Sequence, residues 1–379
     1  MITKFLVIGD PHFKTSNLPD TDDFINKTID LAAKESPDYI IILGDVLHEH
    51  ERLHTIPLNK AYEFIKAMTE AAPTYVMVGN HDLINNQQFL TENHWMNGMK
   101  EWDNVIIVDV PIVLNHNDSQ FILCPYVPNG RLQEALDTDE TIDWKSASLI
   151  FVHQEFMGCK MGAIISQDGD VWNKSLPPVI SGHIHSNQKL LDGHIYYPGS
   201  AMQNAFGDPN NTLSIIEYDP TIQISPPYVC REIDLMLRKK KIVYVDMESI
   251  DAFDISKVLN SQDDIKLSLT GSYDDFKIFI KTPPAKELLN NGIKIVHKNK
   301  KQINDHDADG DVGTGVAVSA GGDESADEDA DGNPTIFNSD DSLEKLIHSF
   351  VTREANSYVT SDFNHVFLGY EKDSDLLLL

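Results

Sequence analysis

Short, nearly continuous apolar runs recur along the first 220 residues, and a polar cluster closes each of them. Residues 5–8, 39–43, 75–78, 149–152 and 179–180 are of this kind. Runs that lack hydrophobic–polar alternation predict strands buried on both faces. Between the first two runs, Phe24, Ile25, Ile29 and Ala32 fall at helical spacing, behind Asp22 and Asp23 in an expected first turn. Between the second and third, Pro57 suits an early helical position and precedes Leu58, Ala61, Tyr62, Ile65 and Met68. Strands alternating with helices at this spacing predict βαβ units and an α/β fold. A more strand-rich stretch follows through residues 105–108, 121–123, 195–197 and 213–218.

The pattern changes after residue 220. Residues 242–245, 265–269, 276–280 and 293–296 predict strands of a small α+β second domain over 221–302. Residues 303–336 are rich in Asp, Gly, Ala and Ser, and predict an acidic disordered linker that cannot offset its ordering entropy. Beyond it, Leu343, Leu346, Ile347, Phe350 and Val351 predict an amphipathic helix in a C-terminal segment, 337–379.

Composition narrows the class. Of 379 residues, 41% are hydrophobic and 23% charged, enough for an ordinary core. No run approaches the ~18 apolar residues that cross a bilayer, so no membrane role is expected. A secretory leader is not expected either, because the first apolar run leads straight into Asp10 and His12, which the site below requires. Cys124, Cys159 and Cys230 stand far apart. That spacing suits an intracellular, reducing compartment (cytoplasm or nucleus) and excludes a thiolate zinc site. Thirty basic against 59 acidic residues, a net charge of −29, argue against a whole-surface nucleic-acid binder. Ten of the acids lie in 303–334, however, which leaves room for local basic patches. Arg238, Lys239, Lys240 and Lys241 form one, a candidate DNA-phosphate contact or simply solvated cations.

The polar clusters carry the chemistry. They are Gly9-Asp10-Pro11-His12, Gly44-Asp45-Val46-Leu47-His48, Gly79-Asn80-His81-Asp82, His153-Gln154 and Gly182-His183-Ile184-His185. Ligands of open α/β sheets bind beyond the carboxyl ends of strands, where all five fall. Two Asp, one Asn and four His give a mixed oxygen–nitrogen donor set without thiolate, suited to Mn²⁺, Fe²⁺ or Zn²⁺. Asp45 is a candidate bridge between two ions, the arrangement that clamps both attacking and leaving oxygens of a phosphoryl displacement. His81 is then expected to protonate the leaving alkoxide, with Asp82 fixing its orientation.

In order and spacing these motifs resemble the calcineurin-like metallophosphoesterases over residues 1–210. Protein Ser/Thr phosphatases of that superfamily carry Asp-Arg-Gly where this chain has His48-Glu49-His50. The stretch 44–66, Phe151-Val152-His153-Gln154 and Tyr197-Pro198-Gly199-Ser200-Ala201 look like the double-strand-break repair branch, the SbcD-like exonuclease subunit. The resemblance implies a four-layer αββα sandwich over 1–220 and a capping, DNA-positioning domain over 221–302. It implies a first metal on Asp10, His12, Asp45 and His185, and a second on Asp45, Asn80, His153 and His183. His81 matches the leaving-group histidine, and His48 a second histidine near the phosphate. Manganese, DNA as substrate, a coiled-coil ABC-type ATPase as partner and a homodimer are implied as well. A metallophosphatase or small-molecule phosphodiesterase would use the same dimetal site. A non-catalytic scaffold would tolerate a broken ligand set, and none is broken here.

Overall fold

The computed structural model describes residues 1–50, 52–208, 211–299 and 315–318. The chain divides into two compact units, one of residues 1–241 with 262–264, the other of 242–261 and the described residues from 265 onward.

In the first unit, β1 (Thr3–Ile8), β2 (Tyr39–Ile42), β3 (Thr74–Met77) and β4 (Val105–Val108) are parallel neighbours. Helices α1 (Leu18–Glu35) and α2 (Thr55–Ala71) form the first two crossovers. A second group follows: β5 (Ile112–His116), β6 (Ser119–Cys124), helix α3 (Leu132–Leu136), β7 (Leu149–His153), a small hairpin of β8 (Lys160–Met161) and β9 (Ile164–Ile165), then β10 (Val179–Gly182), β11 (Gln188–Leu190) and β12 (Ile195–Tyr197). The chain then returns through β13 (Leu213–Tyr218) and β14 (Tyr228–Ile233). Two six-stranded mixed sheets result, ordered β14-β13-β1-β2-β3-β4 and β11-β12-β10-β7-β6-β5.

Strand alternation explains the layering. Phe5, Val7, Ile41 and Leu43 meet Phe121, Leu123, Phe151 and Ile180 in the core between the sheets. Leu6, Ile8, Ile40 and Ile42 point the other way, onto Phe24, Phe64, Ile65 and Met68 of α1 and α2. This is the expected α/β sandwich. Its fourth layer is thinner than a pair of helices: Ile150, Val152 and Val179 are covered by five-residue α3, Trp144 and Trp172.

The first unit also runs past the expected boundary at 220. Strand β14 pairs antiparallel with β13 from Leu213↔Ile233 to Tyr218↔Tyr228, and Tyr228 is buried between the sheets. The cause is local: β14 is an edge strand whose polar Arg231 and Glu232 interrupt the apolar pattern, Arg231 pairing with Glu35 and Glu232 accepting from the Tyr196 hydroxyl, so the sequence hides it.

The second unit holds β15 (Lys240–Asp246) from residue 242, α4 (Ser256–Leu259), β16 (Asp264–Gly271) from residue 265, α5 (Tyr273–Phe279), α6 (Pro283–Asn290), β17 (Lys294–Asn299) and β18 (Gly315–Val318), with its sheet ordered β15-β16-β17-β18. Residues 276–280, expected as a strand, lie mostly in α5. The Ser272 hydroxyl caps it by accepting from the amides of Asp274 and Asp275, and Phe276 and Phe279 share the buried face while Ile278 is exposed. The expected linker 303–336 contributes β18, which adds antiparallel to β17. The β-branched Val316 and Val318 give this tetrapeptide the strand propensity that its surroundings lack. The rest of that stretch and the C-terminal segment lie outside the described residues. Among the described residues no helix is long and apolar enough to cross a membrane.

Candidate metal centre

All five polar clusters sit where β1, β2, β3, β7 and β10 end, three on one sheet and two on the other. The turns are tight enough to force unusual backbone. His12 (φ 49°), Asp45 (φ 49°) and His183 (φ 76°) adopt left-handed conformations that non-glycine residues avoid. Crowding also demands glycine. A Cβ on Gly182 would lie 2.7 Å from Asp10 Oδ1 and 2.8 Å from His153 Nδ1, and one on Gly79 would strike Asp45 Oδ1.

Two groups of donor atoms converge. Asp10, His12 and His185 form one, and Asp45, His153 and His183 the other. In the first, His12 Nε2 and His185 Nε2 are 2.9 Å apart. In the second, Asn80 Oδ1 lies 3.0 Å from His153 Nε2 and 2.8 Å from His183 Nδ1. The Asn80 amide donates its Nδ2–H to Asn86 Oδ1 at 3.3 Å, which turns its oxygen toward the histidines. His153 Nδ1 donates to the Leu43 carbonyl at 2.7 Å, leaving Nε2 as the donor for an ion. Asp45 joins the groups: its Oδ2 is 3.7 Å from His12 Nε2 and 3.4 Å from His153 Nε2. Its Oδ1 accepts the His81 amide at 2.8 Å.

The donor set fits divalent cations on a further count. Asp10 is fully buried, yet neither carboxylate oxygen has a hydrogen-bond partner among the described residues. A buried carboxylate left in that state is costly unless a cation completes it. Burial raises its pKa, and burial pushes His12 well below the usual imidazole range. Burial likewise lowers His183 and His48 to about 3, so each presents a neutral ring. His153 behaves oppositely: burial lowers it, but Asp45 and Asp10 outweigh that and raise it to about 9.

His81 and His48 stand beside the first group. Their rings and that of His12 bring one nitrogen each within a common 4.8 Å. His81 Nδ1 donates to the His48 carbonyl at 2.6 Å, so Nε2 is its free nitrogen. Asp82 does not orient that ring, contrary to expectation. Its Oδ2 accepts the amides of Asp45 (2.8 Å) and Gly79 (2.9 Å), and its Oδ1 the Trp95 indole N–H (2.8 Å). Asp82 is buried and ties the β2 and β3 loops together. Burial first, and Asp45 second, raise its pKa to about 6.

Sequence reasoning passes over several contributors. Tyr126 lies across the second group, its ring 5.7 Å from that of His183, and its hydroxyl donates to the Asn86 carbonyl. His50, which belongs to none of the five clusters, stacks on His81 with ring centroids 4.5 Å apart. Asn86 and Trp95 carry no motif that marks them. The basic run is paired with carboxylates. Arg238 faces Asp20 and Asp264, Lys239 faces Asp234, Lys240 faces Asp20, and Lys241 faces Asp263.

Several known proteins resemble this chain. A family profile described as "Calcineurin-like phosphoesterase" matches residues 3–187. The chain is 44% identical over 280 residues to "Putative phosphoesterase 244L" of Invertebrate iridescent virus 6, covering 73% of this chain and 97% of the relative. It is 42% identical over 297 residues to "Putative phosphoesterase 078R" of Invertebrate iridescent virus 3, covering 78% of this chain and 84% of that one. The crystal structure of TT1561 of Thermus thermophilus is 10% identical and covers 61% of this chain and 99% of that chain, with a TM-score of 0.38.

Proposed function

The chain belongs to the calcineurin-like phosphoesterases, metal-dependent enzymes, and from that premise we propose that it is a Mn²⁺-dependent DNA nuclease with a two-metal centre. The observation that carries the two-metal reading is Asp45, whose one carboxylate oxygen lies within 4 Å of a histidine nitrogen from each donor group. Asp10, His12, Asp45 and His185 would hold one ion, and Asp45, Asn80, His153 and His183 the other. The ions supply Lewis acidity and lower the pKa of water, and the thiolate-free donor set suits manganese.

The protein's own groups do the rest. Asp82 and the His81 amide fix Asp45, and the Leu43 carbonyl fixes the tautomer of His153. His81, held through Nδ1, presents Nε2 to the leaving oxygen and delivers its proton there. His48 would bond a phosphate oxygen, the role that its motif position implies.

Support for a diester substrate comes from His48-Glu49-His50, which stands where protein phosphatases of the superfamily carry Asp-Arg-Gly. The resemblance to the repair-nuclease branch adds DNA and a coiled-coil ATPase partner, for which the segment 337–379 is the candidate contact. The test is digestion of end-labelled duplex and single-stranded DNA with added Mn²⁺, beside a phosphomonoester. The reading expects DNA cleavage that EDTA abolishes. Hydrolysis of the monoester alone would assign the site to a phosphatase.

A further inference from the structure

Outside the ligand set, one side chain stands against the proposed proton donor without an assigned role. His50 and His81 are nearly parallel, at 17° and 4.5 Å between centroids, a close offset stack. His50 Nδ1 donates to the Leu83 carbonyl at 3.2 Å, while His81 Nδ1 donates to the His48 carbonyl. Each loop thus sends a histidine N–H to a carbonyl of the other, and the two rings lie face to face between these bonds. The Nδ1 bond fixes one ring atom, His12 meets the His81 ring edge-on at 4.9 Å, and His48 lies nearly parallel to it at 5.6 Å. Of these three rings His50 is the nearest, and its face-to-face contact restrains the tilt of the His81 plane.

We propose that His50 is a positioning residue that holds the His81 ring in the plane from which Nε2 reaches the leaving oxygen. The inference rests on the reading of His81 as proton donor. Both rings are half-buried, and the His50 stack adds the closest ring contact to those that His12 and His48 make with His81. A donor misplaced by about 1 Å loses much of its effect, up to roughly 10²-fold.

The leaving group gives the test. A 4-nitrophenolate departs without a proton, whereas a phenolate or alkoxide needs one. Turnover of thymidine 5′-(4-nitrophenyl) phosphate and thymidine 5′-phenyl phosphate would be measured with Mn²⁺ on the full chain. His81→Ala sets the scale and should lose far more on the phenyl ester. His50→Ala should show the same bias at smaller amplitude, about tenfold more loss on the phenyl than on the nitrophenyl ester, mainly in kcat. His50→Phe, which keeps a flat ring, should recover most of that loss, and His50→Asn, which keeps a donor for Leu83, should not. Equal losses on both esters in His50→Ala, or metal content below the parent enzyme, would make His50 merely structural and overturn the inference. If His81→Ala itself lacked the bias, the donor assignment would fall and this inference with it.

Discussion

At the scale of single residues, the donor atoms are legible in the sequence and the residues that hold them are not. Asp10, His12, Asp45, Asn80, His153, His183 and His185 follow apolar runs, so strand ends alone bring them together. Asn80→Ala should remove one oxygen donor shared by His153 and His183 and lower bound metal by about one ion per chain. Elemental analysis after gel filtration measures this, and unchanged metal with full turnover would sink the assignment. Asp82 departs from expectation because a carboxylate beside a histidine in sequence need not face it in space. Its partners are two backbone amides and an indole. Asp82→Ala should therefore cost about 1–3 kcal/mol of stability, as buried donors lose their acceptor. A thermal midpoint equal to the parent's, with turnover selectively reduced, would instead make Asp82 an orienter of His81. His50 is invisible in the sequence for a related reason. Its partner lies 31 positions away, and only the meeting of two loops makes them neighbours.

At the scale of elements, uninterrupted apolar runs locate the central strands, because burial on both faces leaves no other pattern. Errors fall where one face suffices or where a cap decides. Residues 276–280 form a short apolar run broken only by Lys277, as a strand might, but Ser272 caps a helix that buries Phe276 and Phe279. Strand β14 is amphipathic and escapes notice as part of the core. An ion-pair cluster fastens it: Arg231 on β14 and Lys4 on β1 both meet Glu35 at the end of α1, at 2.6 and 3.0 Å. Hydrogen bonds from Arg231, then Lys4, hold the Glu35 carboxyl down at about 2, against 4.5 ordinarily. A depressed folded-state pKa stabilises above the unfolded value and loses that contribution as pH falls toward the folded one. Glu35→Gln should thus lower the thermal midpoint at neutral pH, and the gap to the parent should narrow below about pH 4. Half-exposed Arg231 is screened by water, so the gap corresponds to about 1 kcal/mol or less. A gap constant from neutral pH to about pH 3 would mean that packing, not the ionised carboxylate, is responsible.

At the scale of the molecule, the question is what the catalytic unit needs. Every donor residue and both six-stranded sheets lie within residues 1–241, whereas the boundary expected from the sequence falls at 220. The alignments to the two viral relatives are longer than this unit, so they reach into the second. Two truncations separate what the site requires from what the family retains. A chain ending at residue 241 keeps β14 and should fold, bind metal and hydrolyse a nitrophenyl ester within a few-fold of the full chain. It gives up Asp263 and Asp264, the surface partners of Lys241 and Arg238, at a cost of about 1 kcal/mol or less per pair. A chain ending at residue 220 loses more. The ladder along β13 is left open, Tyr228 leaves the core between the sheets, and the acceptor at the Gly193 carbonyl loses its hydroxyl. Loss of a buried aromatic alone costs about 3–5 kcal/mol, enough to bring a domain of ordinary stability near its unfolding threshold. The shorter chain should therefore melt many degrees lower or aggregate, and bind metal poorly. Equal melting of the two would return the boundary to 220 and reduce β14 to an attachment. Failure of the longer chain to bind metal, with its sheets intact by circular dichroism, would show that the second unit helps to build the centre.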